Sequence, residues 1–214
     1  MSASTALGWL RTYARLNTNH PFDYENWTEA VRAGRTISTN GPFLDLSVEG
    51  YSIGDTIKMP TTGGTLEIHA TAESFWPLGK LEIVYNGHVV ASQQASKGSK
   101  KLYIKEKLRI TKSGWIAARC SGYTSHPASY AAAHTSPVYI ECGKMRIFDG
   151  PAAQHMLALV EGGIEYLQTL ATVFDESSRK RMVKFFNEAR KELRGRLTVE
   201  AHHQLHYGSG QWWP

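Results

Sequence analysis

Nine histidines and two cysteines are the side chains best able to ligate a metal or carry covalent chemistry, and their spacing decides what they can do. His202, His203 and His206 supply i, i+3 and i, i+4 pairs that would suit zinc or nickel on one helix face. Glu200 is their only neighbouring carboxylate and glycines follow them, so adventitious binding outweighs a functional centre. Cys120 and Cys142 have neither zinc nor redox spacing and read as free, half-buried thiols. His134 and Ser136 stand two apart, so on an extended chain they share a face and could serve as base and nucleophile. Pro137, however, holds Ser136 in an extended backbone, and no Gly-x-Ser-x-Gly elbow occurs, so a structural corner is the stronger reading. No residue is assigned as catalytic and none as a metal ligand.

Two loops carry other chemistry. Asn40-Gly41-Pro42 combines a sharp turn, a rigid exit and a side-chain amide that both donates and accepts. Phe75-Trp76-Pro77 falls between two expected strands, where exposed aromatic rings can stack on sugars or other planar ligands. Core packing, or docking against a neighbouring domain, is the weightier reading of this pair. Trp115 alternates with Ala117 and is read as core.

The elements that must position these residues follow from periodicity. Residues 23–34 read as a helix with Asp23 as N-cap, Glu25 in the first turn, Gly34 just past the end, and Trp27, Ala30 and Val31 on one face. From Arg35 the period becomes two. Strands are expected at 35–39, 43–49, 56–58, 65–72, 81–85, 88–93, 101–110, 114–120 and 138–140, the spacing of a sandwich or barrel. Asn86-Gly87 between two apolar runs predicts a type I′ hairpin. Leu66, Ile68 and Ala70 alternate with Glu67, His69 and Thr71, which predicts one buried and one wet face. After Gly150 the helical period returns, in stripes Met156, Val160, Ile164, Leu167, Ala171, Phe174 and then Met182, Phe186, Ala189, Leu193, Leu197. The expected fold is mainly β: an Ig-like antiparallel β-sandwich preceded by a short helix and followed by a C-terminal helical hairpin.

With 42% apolar and 20% charged residues in 214, the chain can bury a core without disulfides or metals. The net charge of +5 is not gathered strongly on one stretch. The runs Lys97, Lys100, Lys101, Lys105, Lys107, Arg109, Lys112 and Arg179, Lys180, Arg181, Lys184 read as solvated faces and edge-strand lysines, so no nucleic-acid partner is expected. No secretory signal and no membrane span are evident, and the sequence as given is expected to be soluble and cytoplasmic.

Several short motifs in order resemble the CehA/McbA family of metallohydrolases, a branch of the PHP superfamily. They are Arg11-Thr12-Tyr13, Ala30-Val31-Arg32-Ala33-Gly34-Arg35-Thr36, Ser38-Thr39-Asn40-Gly41-Pro42, Gly54-Asp55-Thr56-Ile57, Asn86-Gly87, Gly114-Trp115-Ile116-Ala117-Ala118-Arg119, and His134-Thr135-Ser136-Pro137-Val138-Tyr139. Phe174-Asp175 and Glu188-Ala189-Arg190 extend the resemblance to about residue 197. It implies an N-terminal catalytic barrel whose histidines and carboxylates bind divalent metals to hydrolyse esters or phosphoesters. This sequence departs from that pattern, because His-x-His is absent and the first histidine is His20; the family's ligands would all precede Leu7. The resemblance thus implies an accessory region, inactive by itself, whose partner is a PHP-like catalytic domain on the same or a separate chain. Residues 1–34 would be the end of that catalytic domain, 35–145 the sandwich, 146–200 the helical hairpin and 201–214 a flexible tail. Asn40, with Arg11 or Arg35, would face the active-site cleft, and Phe75 and Trp76 are the candidate ligand-binding pair. The rival reading is an autonomous Ig-like binding module for carbohydrate or a protein partner.

Overall fold

Alternation of apolar and polar side chains dominates the first two thirds of the chain, and it folds accordingly. A computed structural model describes residues 8–17, 19, 21–127, 130–143, 147–172 and 175–207, the last eight by backbone only. Two compact units divide it, Met1–Ile147 and Phe148–Pro214.

The first unit contains the strands β1 (Arg11–Ala14), β2 (Thr36–Thr39), β3 (Phe43–Val48), β4 (Tyr51–Ser52), β5 (Thr56–Met59), β6 (Gly64–Tyr85), β7 (His88–Ile110), β8 (Gly114–Gly122), β9 (Ala132–Thr135) and β10 (Val138–Cys142), with helix α1 (Tyr24–Arg32) between β1 and β2. The Asp23 side chain accepts from Asn26 N at 2.8 Å, so the expected cap forms. It satisfies one amide that the first helical turn cannot reach. Asn86 and Gly87 both have positive φ, 48° and 86°, as the expected β6–β7 turn requires.

β6 and β7 organise the sandwich. The first half of β6, Gly64–Glu73, pairs with β3 on one side and with the second half of β7 on the other. From Leu78 onward β6 pairs with β8 instead of β3. The register with β7 breaks between Glu73 and Leu78, so Ser74–Pro77 is the corner at which one strand leaves the first sheet and enters the second. A bent strand of this kind is a recognised way to close a sandwich. One sheet is ordered β4-β3-β6-β7 and the other β7-β6-β8-β9-β2-β1, with β10 joined to β8 and β5 to β10. Four expected strands are therefore two long ones, and β9, β4 and β1 add to the expected set. All pairs are antiparallel except β5 with β10, which run parallel.

The core lies between the sheets and follows the two-residue period. Leu44, Leu46, Val48, Ile68, Ala70, Ala72, Leu81, Ile83, Ile116, Ala118, Val138 and Ile140 are all buried in one cluster. Cys120 and Cys142 are free and fully buried with them rather than half-exposed. Burial pushes the Cys120 thiol up to about 11, against a smaller opposing bond at Ala133, which leaves it unreactive at neutral pH. Trp115 corrects the sequence reading: Ile116, Ala118 and Cys120 point inward, so Trp115 and Ala117 occupy the opposite face and are half-buried.

The second unit is an antiparallel helical hairpin of α2 (Gly150–Thr169) and α3 (Glu176–Tyr207). Asp149 caps α2, accepting from Ala152 N at 2.7 Å, and Asp175 accepts from Ser178 N at 2.9 Å at the start of α3. Ile164, Leu167 and Ala171 are buried, but Met156 is half exposed and off that stripe; Phe174 lies outside the described residues. The backbone of α3 continues through Tyr207, past the expected end of the hairpin, and the rest of the expected tail, 208–214, lies outside the described residues. Among the described residues no helix is long and apolar enough to cross a membrane.

Gly98 tests the corner. Its φ is +74°, and a Cβ there would lie 2.8 Å from Pro77 Cβ. Gly50 has a similar φ of +79° with nothing within 4 Å. Gly50→Ala is expected to cost about 1 kcal/mol, the left-handed backbone penalty alone, and Gly98→Ala about 2–3 kcal/mol because steric displacement is added. Urea midpoints of the two variants measure the difference, and equal midpoints would contradict the tight corner.

Candidate functional site

Three segments distant in sequence meet at the corner of β6. Gly8, Trp9 and Arg11 come from the entry to β1, Asn40 and Gly41 from the β2–β3 loop, and Ser74, Phe75 and Trp76 from the corner itself; together they line a cleft of about 280 Å³. Each segment is there for a local reason. β1 pairs with β2 in the register Arg11↔Thr39, which sets Arg11 beside the following loop. That loop turns sharply because Thr39 Oγ1 donates to Pro42 O and accepts from Gly41 N at 2.9 Å. The corner aromatics project outward because the strand has left the first sheet and not yet joined the second.

The aromatic rings support one another. Phe75 packs edge-on against Trp76 with centroids 4.9 Å apart. Trp76 lies 5.4 Å from the His126 ring, and Trp9 lies 5.2 Å from Tyr130. All remain open to solvent: Phe75 is 74% exposed, Trp76 44% and Trp9 43%. Packing of rings against rings fixes their orientation while leaving a face free. Lys100 Nζ sits 5.1 Å from the centroid of Phe75, a cation–π contact.

Asn40 lines this cleft, but its amide is already engaged. It donates to Tyr130 O at 2.9 Å and accepts from Ala132 N at 2.7 Å. The side chain is a clamp between the β2–β3 loop and the approach to β9. Arg11 forms no ion pair among the described residues. Arg35 is not brought to the cleft: it lies at the α1–β2 junction, where its amide donates to Ala30 O at 2.9 Å and its carbonyl accepts from Arg15 N at 2.8 Å. Trp9, His126 and Tyr130 were not singled out from the sequence, and Lys100 was read there only as one of a solvated run. The signal that could have found Trp9 is the run of apolar residues Trp9, Leu10, Tyr13 and Leu16 ahead of the first helix.

No protein-family model and no curated protein matches the chain. Among solved structures it is similar to a CARDB domain from Pyrococcus furiosus. Its solution NMR structure has 14% identity and a TM-score of 0.33 and covers 48% of this chain and 98% of that one. The crystal structure of that domain in complex with di-metal ions has 14% identity and a TM-score of 0.29, covering 48% and 96%. Scores at this level carry neither a ligand nor a role across.

The other candidate chemistry is dispersed. Ser136 Oγ bonds Thr36 Oγ1 at 2.7 Å, while His134 is exposed on β9 opposite Arg119 and Ser38, so the two form no base–nucleophile pair. Among the described residues no three His, Cys, Asp or Glu side chains gather closely enough to hold a metal. The side chains of His202, His203 and His206 lie outside the described residues.

Among the described residues one charged group is nearly buried. The Glu82 carboxylate, 9% exposed, is 2.7 Å from both Lys80 Nζ and Arg119 Nε on the outer face of the second sheet. Burial acts on it most strongly and raises its pKa, yet the bonds and charges of Lys80 and Arg119 together hold it below the usual carboxylate range. A lowered folded value means that its contribution is complete above the unfolded carboxyl value near 4.3 and is lost as pH falls through the folded one. Lys80 and Arg119 are largely solvated, so Glu82→Gln is expected to cost about 1–2 kcal/mol at pH 7, and less at acidic pH. Denaturation midpoints at pH 7 and pH 3 give this comparison; a constant difference would contradict it. Asn40→Ala, losing both clamp bonds, is expected to cost about 1–3 kcal/mol and to shift the tryptophan emission through Trp9 and Tyr130. An unchanged spectrum would separate the clamp from the cleft.

Proposed function

We propose that this chain is the C-terminal accessory and interdomain region of a PHP-type metal-dependent hydrolase of the ester or phosphoester class, inactive by itself, and that its N-terminal segment packs against the catalytic barrel. The observation that carries this reading is the apolar surface of residues 9–43. Leu10 is 74% exposed, Phe22 87% and Tyr24 75%, with Trp9, Tyr13, Trp27 and Phe43 between 38% and 50%. Tyr13 and Phe43 stack edge-on at 6.1 Å and continue the surface from β1 to β3. Exposed apolar surface on this scale marks an interaction site. Among the described residues β1 is the last strand of its sheet and bonds only β2, and it carries neither lysine nor proline. The β7 edge, by contrast, is guarded by its lysines. The motif order quoted above supplies the identity of the partner as a PHP-like barrel, and divalent metals would be held by that barrel.

A second reading is favoured by the cleft. Phe75 and Trp76 form an exposed aromatic shelf rather than core, which suits an autonomous binding module for carbohydrate.

The first reading predicts that the purified chain, given manganese or zinc, turns over neither an aryl phosphodiester nor an aryl ester above the metal-only blank. It also predicts that DNA adjoining the Met1 codon encodes a frame with His-x-His followed by Asp-x-His. Metal-stimulated hydrolysis by the chain alone would overturn it.

A further inference from the structure

We propose that the cleft at the β6 corner binds an acidic saccharide, one sugar ring lying against the Trp76 and Trp9 indoles with its carboxylate on Arg11. This rests on the binding-module reading and goes further by naming the ligand's charge and size.

Volume sets the size. About 280 Å³ falls at the lower limit of small-molecule sites, which admits a single ring and leaves the remainder of an oligomer in solvent. Ring-against-ring packing sets the mode of contact. Phe75 and His126 brace Trp76, and Tyr130 braces Trp9. The indole faces are therefore in place before a ligand arrives, which spares the ordering cost of binding. An apolar ring face laid on them removes surface that is now 43–44% exposed.

Charge sets the class. Arg11 lines the cleft and Lys100 stands over Phe75, and neither has a carboxylate partner among the described residues. Glu73, the nearest acidic residue in sequence to the corner, is held by Lys101. Two uncompensated cations beside aromatic walls favour an anion, and the planar guanidinium fork matches a carboxylate bidentately. Asn40 cannot supply this recognition, since both ends of its amide are engaged by Tyr130 and Ala132. A single-stranded nucleic acid would need cations tracking successive phosphates along a groove. Here two cations flank a site for one ring, and Lys101 and Lys105 of the β7 run are paired to Glu73 and Glu67.

Tryptophan-fluorescence titration of the full chain tests this with tetrameric oligogalacturonate and oligoalginate, the methyl ester of each, and a thymidine tetranucleotide. Expected are quenching by one of the two acidic oligosaccharides, affinity for the ester of the binding acid weaker by about tenfold or more, and weaker binding still of the nucleotide. Trp76→Ala should abolish binding. Arg11→Gln should bring the acid down to the level of the ester, with thermal unfolding unchanged because Arg11 is exposed. If acid and ester bind alike and Arg11→Gln changes nothing, the acidic assignment is overturned while a carbohydrate module stands. Tightest binding by the nucleotide overturns the saccharide class. No binding of any probe overturns this proposal and the module reading together.

Discussion

Two paired strands, β6 and β7, run through both sheets, and the rest of the sandwich depends on how β6 turns its corner. Backbone amides inside a protein must be paired, and β6 satisfies its own by bonding β3 up to Glu73 and β8 from Leu78. Between those points the chain is released from one ladder before the other begins. Ser74, Phe75, Trp76 and Pro77 occupy that gap, so side chains that would be forced to alternate within a ladder are free to gather on the outside. The aromatic shelf is a consequence of closing the sandwich with a bent strand.

The same corner explains why distant residues meet. β1 reaches it by pairing with β2, the β2–β3 loop reaches it because both flanking strands end there, and the β8–β9 loop is tied to it by the two bonds from Asn40. Phe43 and Tyr13 extend the aromatic surface away from the cleft and toward β1. The surface proposed to dock a catalytic domain and the cleft proposed to hold a saccharide overlap, because Trp9, Arg11, Asn40 and Gly41 lie in the segment 9–43 and also line the cleft.

Much of the fold was legible because local physics decided it. Asp23 caps α1, Asn86 and Gly87 turn the hairpin, and Leu66, Ile68 and Ala70 alternate inward as their spacing required. What escaped was long-range. β9 is the alanine-rich Ala132–Thr135, with little intrinsic strand preference, and it is a strand because β2 and β8 flank it. The continuity of β6 and β7 through the corner was hidden by Pro77 and Gly98, which read locally as breaks. Trp115 was assigned to the wrong face, since a two-residue period gives two faces and only the partner sheet tells which is inside. At the β6-corner cleft, Asn40, Arg11, Phe75 and Trp76 were each visible as unusual side chains, but that Arg11 and not Arg35 lines this cleft follows only from the register of β1 on β2. The clamp that Asn40 forms was not visible because its partners lie about ninety residues away.

The central claim is that Trp76 stands outside the core on a braced, preformed shelf. Nuclear Overhauser contacts of its indole protons measure this directly in solution. Cross-peaks to the rings of Phe75 and His126, with none to the methyl groups of Leu81 or Ile83, are the result this account predicts. Contacts from the Trp76 indole to those core methyl groups, with none to His126, would contradict it.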